Sequence, residues 1–147
     1  MTGFLDLVAL LSAGLFAGAA LYVSLVEHPA RSECGPGLAL AEFRPSYRRG
    51  AVMQASLAAV GCLAGVAGWA RGGSAAMLVS GLLLAAIIAF TLAVIRPTNK
   101  RLLDPALDSR SPEATMLLAR WGRLHAVRTG AGALAFLLVG LHLALAR

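Results

Sequence analysis

Charge is scarce in this sequence. Only 14% of its 147 residues are Asp, Glu, Lys or Arg, where an ordinary soluble domain carries about 25%. Water is therefore not the solvent for most of the chain. Aromatic residues are also few, at 6%, so the 59% hydrophobic content is mainly Leu, Ala and Val. That is the composition of lipid-facing helices. There are two cysteines, Cys34 in a polar stretch and Cys62 in an apolar one, with no C-x-x-C. This pattern gives neither a disulfide framework nor a zinc site. The sequence contains no H-E-x-x-H and no P-loop, so neither of those motifs assigns a chemistry. The net charge of +6 raises nucleic acid as a partner, but no nucleic-acid motif accompanies it and none is expected to bind. No Lys or Arg precedes Arg31, and Asp6 lies early. A secretory signal begins with a positive region and has a shorter apolar core, so the first apolar run is read as a retained helix.

Four apolar runs are present, at about 4–26, 50–70, 74–95 and 127–146. At 1.5 Å per residue each reaches roughly 30–35 Å, enough to cross the hydrocarbon core. The turn Arg71-Gly72-Gly73 is too short for anything but an antiparallel hairpin. The expected fold is all-α: one domain over 1–147, an integral membrane four-helix bundle with up-down-up-down antiparallel topology. Gly14 and Gly18 in the first span, and Gly61 and Gly65 in the second, have the small-xxx-small spacing that lets helix backbones approach. Ser111-Pro112-Glu113 reads as an N-cap, a proline at the first helical position and an acid in the first turn. The fourth helix then starts before its span, or Gly122 breaks it.

Eleven of the thirteen Lys and Arg residues fall in 27–49 or 96–128; only Arg71 and Arg147 do not. The positive-inside rule places the polar loops 27–49 and 96–125 together in the cytoplasm, with both termini outside. The location expected is a bacterial inner membrane.

The chemistry-bearing residues collect at that same end. Span one ends in Glu27-His28-Pro29, and loop one holds Phe43-Arg44-Pro45-Ser46-Tyr47. Span three ends in Arg96-Pro97-Thr98-Asn99, and span four opens with Trp121, His125 and Arg128. The last three are spaced i, i+4, i+7 and share one helix face. Intramembrane polar residues usually face the bundle interior. Glu27, His28 and His125 suit a transition metal, copper or iron. Either histidine also suits a general base. Arg128, Asn99 and Tyr47 offer donors to a developing oxyanion. The plainer reading is that rings favour the membrane boundary, that Glu27 pairs with a nearby Arg, and that the prolines end helices. Gln54 is read as a structural hydrogen-bonding residue, Cys62 as packing and His142 as interfacial.

Together, Glu27-His28-Pro29, Phe43-x-Pro45-x-Tyr47, Pro97-Thr98-Asn99 and Trp121-x-x-x-His125-x-x-Arg128 resemble the anthrone-oxygenase-like family of small four-span membrane proteins. The resemblance implies an oxygenase that uses dioxygen on an electron-rich phenolic ring, with no cofactor or with a copper or iron ion. It implies His28, His125, Arg128 and Asn99 as catalytic residues. Trp121, Tyr47 and Thr98 would contact substrate. If a metal is bound, Glu27, His28 and His125 would hold it. The expected partners are a small hydrophobic substrate, dioxygen and membrane lipid, with room for a homo-oligomer. A metal-binding redox protein using the same cluster, and a non-catalytic module binding a protein or lipid through the basic loops, are the competing readings.

A reporter fused to the C-terminus is expected to give an external signal. A cytoplasmic signal would reverse the orientation.

Overall fold

Hydrocarbon offers no partner to a backbone N–H or C=O, so a chain of this composition must satisfy its backbone within helices. The computed structural model describes residues 2–145 and shows helical elements joined by turns, with no strand among those residues. Ala146 and Arg147, which close the expected fourth span and enter the charge argument, lie outside the described residues. The elements form four rods. Rod α1 comprises Thr2–Tyr22, a π-helical turn Val23–Glu27, and His28–Glu33. Rod α2 is Pro36–Ala70. Rod α3 comprises Ala75–Phe90, a second π-helical turn Thr91–Ile95, and Arg96–Leu102. Rod α4 is Pro112–Leu145. All four are long and apolar enough to cross a membrane, which makes this an integral membrane protein. Consecutive rods pack side by side and α4 closes against α1, so the section is a square with α1 diagonal to α3.

The segments expected as polar loops, 27–49 and 96–125, are mostly helical. Only the turn around Gly35, at φ +82°, separates α1 from α2. The short stretch 103–111 joins α3 to α4. Low hydropathy marked where lipid ends, and the helices continue past it. The prolines do not end them either. A proline inside a helix lacks the N–H and clashes with the carbonyl four residues back. Each π turn ends two residues before a proline, Pro29 or Pro97. There the wider turn, closed by the N–H of His28 on the Val23 carbonyl and of Arg96 on the Thr91 carbonyl, makes the room. The N-cap expectation for α4 holds: the Ala114 N–H donates to Ser111 Oγ at 3.2 Å. The rod then runs unbroken through Gly122.

Beyond the spans, the helix extensions form a head. Its buried cluster includes Leu40, Phe43, Ile95, Leu102, Leu118 and Trp121. Arg101 ties the head together at Glu113 (2.7 Å) and Asp104 (2.8 Å). The Ala106 N–H, and then Arg101, hold the Asp104 carboxyl below its ordinary value.

Within the membrane the core is small: Ala13, Phe16, Ala20, Ala58, Leu84, Ile87 and Ala135 at mid-bundle, and Ala9, Ala64, Met77 and Val139 toward the other end. Small side chains allow close backbones. A Cβ on Gly65 would lie 2.6 Å from the Met77 carbonyl oxygen and 3.0 Å from the Gly81 Cα. Of the other glycines read as packing positions, Gly14 meets Phe136 at 3.0 Å and Gly61 meets Leu84 at 2.6 Å, whereas Gly18 meets nothing within 4 Å.

Gly65→Ala is expected to force α2 from α3 and to destabilise the bundle by about 1–3 kcal/mol, read as a lower melting temperature in mild detergent. Gly18→Ala is expected to leave it unchanged or raised, through helix propensity. Equal melting of the Gly65 variant and the parent would contradict the close approach.

Candidate functional site

At the head end of the spans the rods surround a cavity of about 230 Å³, a little below the usual size of small-molecule sites. All four rods line it. Phe16, Val23, Glu27 and Arg31 come from α1, and Phe43, Tyr47 and Gln54 from α2. Ile87, Ile88, Thr91 and Leu92 come from α3, and Trp121, His125 and Arg128 from α4. Both π turns therefore contribute to its wall, in keeping with the frequency of such turns at functional sites.

Trp121 is the centre of an aromatic cluster. His125 stacks on it with ring centres 4.7 Å apart, His28 approaches at 5.2 Å, and Phe43 meets it edge-on at 5.1 Å. Phe43 in turn stacks on Tyr47 at 5.5 Å. The i, i+4, i+7 face of α4 is thus a wall of the cavity, as its spacing predicts.

His125 is buried and its ring is fixed through one nitrogen. Ser24 Oγ lies 3.1 Å from Nδ1 and 2.8 Å from Thr129 Oγ1. The single Thr129 hydroxyl proton has two carbonyls in reach, Ala20 at 3.2 Å and His125 at 3.1 Å. A carbonyl can only accept. With that proton on a carbonyl, Thr129 accepts from Ser24, and Ser24 accepts from Nδ1–H. The lone pair then sits on Nε2, which has no hydrogen-bond partner among the described residues.

Two arginines border the cavity and differ in their surroundings. Arg31 is ion-paired with both Glu27 and Glu42, the latter at 2.8 Å, and lies over the Phe43 and Trp121 rings at 5.8 and 5.9 Å. Arg128 donates from Nη2 to Gln54 Oε1 at 2.8 Å and lies 5.7 Å from the Phe16 ring centre. Among the described residues no carboxylate pairs with it.

Asn99 is buried and donates from Nδ2 to Tyr47 Oη at 3.0 Å. Because Tyr47 accepts there, its own proton is free to be donated elsewhere. Of the expected site residues, Glu27, Tyr47, Trp121, His125 and Arg128 line the cavity, while His28, Thr98 and Asn99 do not. Thr98 is buried with its hydroxyl unpartnered. His28 borders a second groove, of about 310 Å³, with Ser24 and Gly122; Trp121 and His125 border both. A Cβ on Gly122 would lie 2.5 Å from His28 Nε2, so the ring rests on that glycine. Glu27 is engaged by Arg31, as its plainer reading had it. Among the described residues no three His, Cys, Asp or Glu side chains gather as metal ligands. The Glu27, His28 and His125 set expected for copper or iron is not assembled.

Glu42, Ser24 and Thr129 belong to no motif in the sequence, and Arg31 enters it only as a basic residue near Glu27. The spacing of Glu27 and Arg31, four apart, was the available signal for one pair. Hydroxyls within a span follow no comparable rule.

The family model for anthrone oxygenase matches residues 43–138, well over half of the chain. The match includes Tyr47, Asn99, Trp121, His125 and Arg128, and starts after Ser24, His28 and Arg31. No curated protein and no solved structure matches the chain.

Removing Arg31 would leave Glu27 and Glu42 without their shared cation. Arg31→Ala is expected to destabilise the protein by about 1–2 kcal/mol, since the carboxylates left behind are partly exposed, with loss of Phe43 and Trp121 packing. Thermal unfolding followed by Trp fluorescence measures this. Parent-like melting would show the pair to be unimportant.

Proposed function

This chain belongs to the anthrone oxygenase family, and from that premise we propose a membrane-embedded oxidoreductase. It oxidises a small hydrophobic aromatic or phenolic substrate with dioxygen, at the cytoplasmic end of the bundle in a bacterial inner membrane. The observation that carries this reading is His125: a buried imidazole on the cavity wall, anchored through Nδ1 and beside a cation without a carboxylate.

The chemistry follows from those positions. The substrate ring lies among Phe16, Phe43, Tyr47 and Trp121, which offer faces and edges for stacking. His125 Nε2 takes a proton from the activated methylene carbon of the substrate. The Nδ1–H stays on Ser24, so the imidazolium keeps its orientation. Negative charge then spreads onto the substrate oxygen, where Arg128 and the Tyr47 hydroxyl can meet it. Such groups are worth most where water is excluded. Asn99 acts through Tyr47, by holding the phenol so that its proton points away from the amide.

The electron-rich anion gives one electron to dioxygen, and recombination forms a carbon–oxygen bond. The peroxide anion so formed takes back the proton held on His125. The neutral imidazole then removes the second C–H proton of the hydroperoxide while the O–O bond breaks, and the departing hydroxide leaves with that proton as water. In sum, a CH₂ and one O₂ become a C=O and one H₂O. The electrons come from the substrate, so the balance needs no further reductant. The described residues assemble no ligand set for a metal.

Oxygen uptake by the protein in lipid vesicles, with anthrone as substrate, tests the reading. His125→Ala is expected to lower kcat by about 10²–10⁴-fold. Arg128→Gln is expected to lower it by about 10²–10³-fold. Ser24→Ala should cost less, because the base remains and only its orientation is loosened. Turnover that persists in a folded His125→Ala protein would remove His125 as the base. Absence of uptake with anthrone and related phenols by the parent would overturn the oxygenase reading.

A further inference from the structure

The cavity is not closed on all sides. Two of its lining residues are exposed, Ala55 on α2 and Leu92 on α3, the latter at 59%. Both lie along the seam between these two rods. Their half-buried neighbours in the wall are Ala51 on α2 and Ile88 and Thr91 on α3.

The seam is tight elsewhere. Toward the far end, Gly65 and Gly81 bring the two backbones into contact. Mid-bundle, the Leu84 side chain of α3 meets Gly61 of α2, and Ala58 and Ile87 are buried in the core that floors the cavity. Nearer the head no large side chain fills the α2 side, since positions 51 and 55 are both alanine.

Depth decides what the mouth faces. Residues 88–92 precede the end of the third apolar run, at Ile95, by three to seven positions. At 1.5 Å per residue this places the α3 side of the mouth about 5–10 Å inside the hydrocarbon boundary. Ala51 and Ala55, one and five positions beyond the start of the second apolar run at Gly50, place its α2 side about 2–8 Å inside. Its outer surroundings agree: Val52 is 70% exposed, Met53 49% and Val94 38%. A hole rimmed by alanine, isoleucine and leucine at that depth opens to lipid tails rather than to water.

We infer that the gap between α2 and α3, bounded by Ala51, Ala55, Ile88 and Leu92, is the port through which a flat, bilayer-dissolved polycyclic ligand enters the cavity from the side. This rests on the substrate class proposed above and specifies its route. The ligand arrives with its apolar edge already out of water. Its oxygen-bearing edge is met inside by Arg128 and Tyr47, so the polar groups of the site are never offered an open path across the rim. Ligand that partitions strongly into lipid is thereby preferred over an equally sized polar one.

The test uses the full chain in lipid vesicles, with Trp69→Phe so that Trp121 is the sole indole. Anthraquinone dissolved in the bilayer is the probe; it is flat and carries no methylene to oxidise. Its arrival is read as the rate of Trp121 quenching after mixing with probe-loaded vesicles. Ala51→Phe with Ala55→Phe is expected to slow quenching at least tenfold. Leu92→Ala is expected to speed it. Leu63→Phe, on a lipid-facing position of α2 outside the seam, is expected to leave it unchanged. Opposite effects from filling and emptying one rim cannot come from misfolding. If quenching is strong in the parent and the double Phe variant keeps its rate, the port is elsewhere and the substrate reading survives. If anthraquinone quenches nothing in the parent, the cavity does not accept such rings, and the port falls together with the substrate reading.

Discussion

Backbone contact between α2 and α3 at Gly65 and Gly81 sets the spacing on which the site depends. With no side chain between them, the rods touch where Gly65 meets the Met77 carbonyl. One level nearer the head, Gly61 is met by the Leu84 side chain rather than by backbone. Higher still, Ala58 and Ile87 belong to the mid-bundle core and form part of the cavity wall. The two rods touch backbone to backbone at one end, and at the head end both line the cavity. Lipid supplies no hydrophobic drive to pull them together, so the packing of glycine and alanine has to hold one end for the other to stay open.

The second constraint is proline. Pro29 and Pro97 each follow a widened turn, whereas Pro45 sits inside α2 without one. The two widened turns fall on α1 and α3, which are diagonal in the square. The distortion is therefore applied from opposite corners to the same space. Val23 and Glu27 on one side, and Thr91 and Leu92 on the other, line the cavity from within these turns. Neither rod is interrupted: the chain resumes α-helix at once and continues into the head. A helix that bulges without breaking keeps its backbone satisfied in the membrane and still offers a recess.

How much of this was legible follows from the kind of signal each feature leaves. Four spans, antiparallel order and the shared end of the polar residues were written in long apolar runs and in the placement of arginine. The α4 face was written in the spacing of Trp121, His125 and Arg128. That the rods run on into 27–49 and 96–102 was not, because hydropathy reports the solvent and those stretches are helical in a polar one; only the early start of α4 left a mark, in Ser111-Pro112-Glu113. The π turns leave no periodic mark, and a proline looks the same whether it ends a helix or bulges it. His28 and His125 looked equivalent in sequence. Only three dimensions separate a ring resting on Gly122 from one on the cavity wall. Ser24 and Thr129 were invisible for a similar reason: a hydroxyl in an apolar run reads as tolerated polarity until its partner across the bundle is known.

The two arginines show what the site still lacks. Cations are costly inside a bundle and normally sit with a partner. Arg31 has two carboxylates and two aromatic faces, and its charge is spent on joining the end of α1 to α2. Arg128 has a neutral amide and one ring. A guanidinium left with so little compensation is stabilised by any negative charge that forms beside it. His125, one turn away on the same face, would create such a charge by removing a proton from a bound ring. A carboxylate in place of Gln54 would satisfy Arg128 in the resting protein and remove that differential. The neutral partner keeps the cation oriented yet unneutralised, so its strongest interaction would be reserved for the anion and not for the ground state.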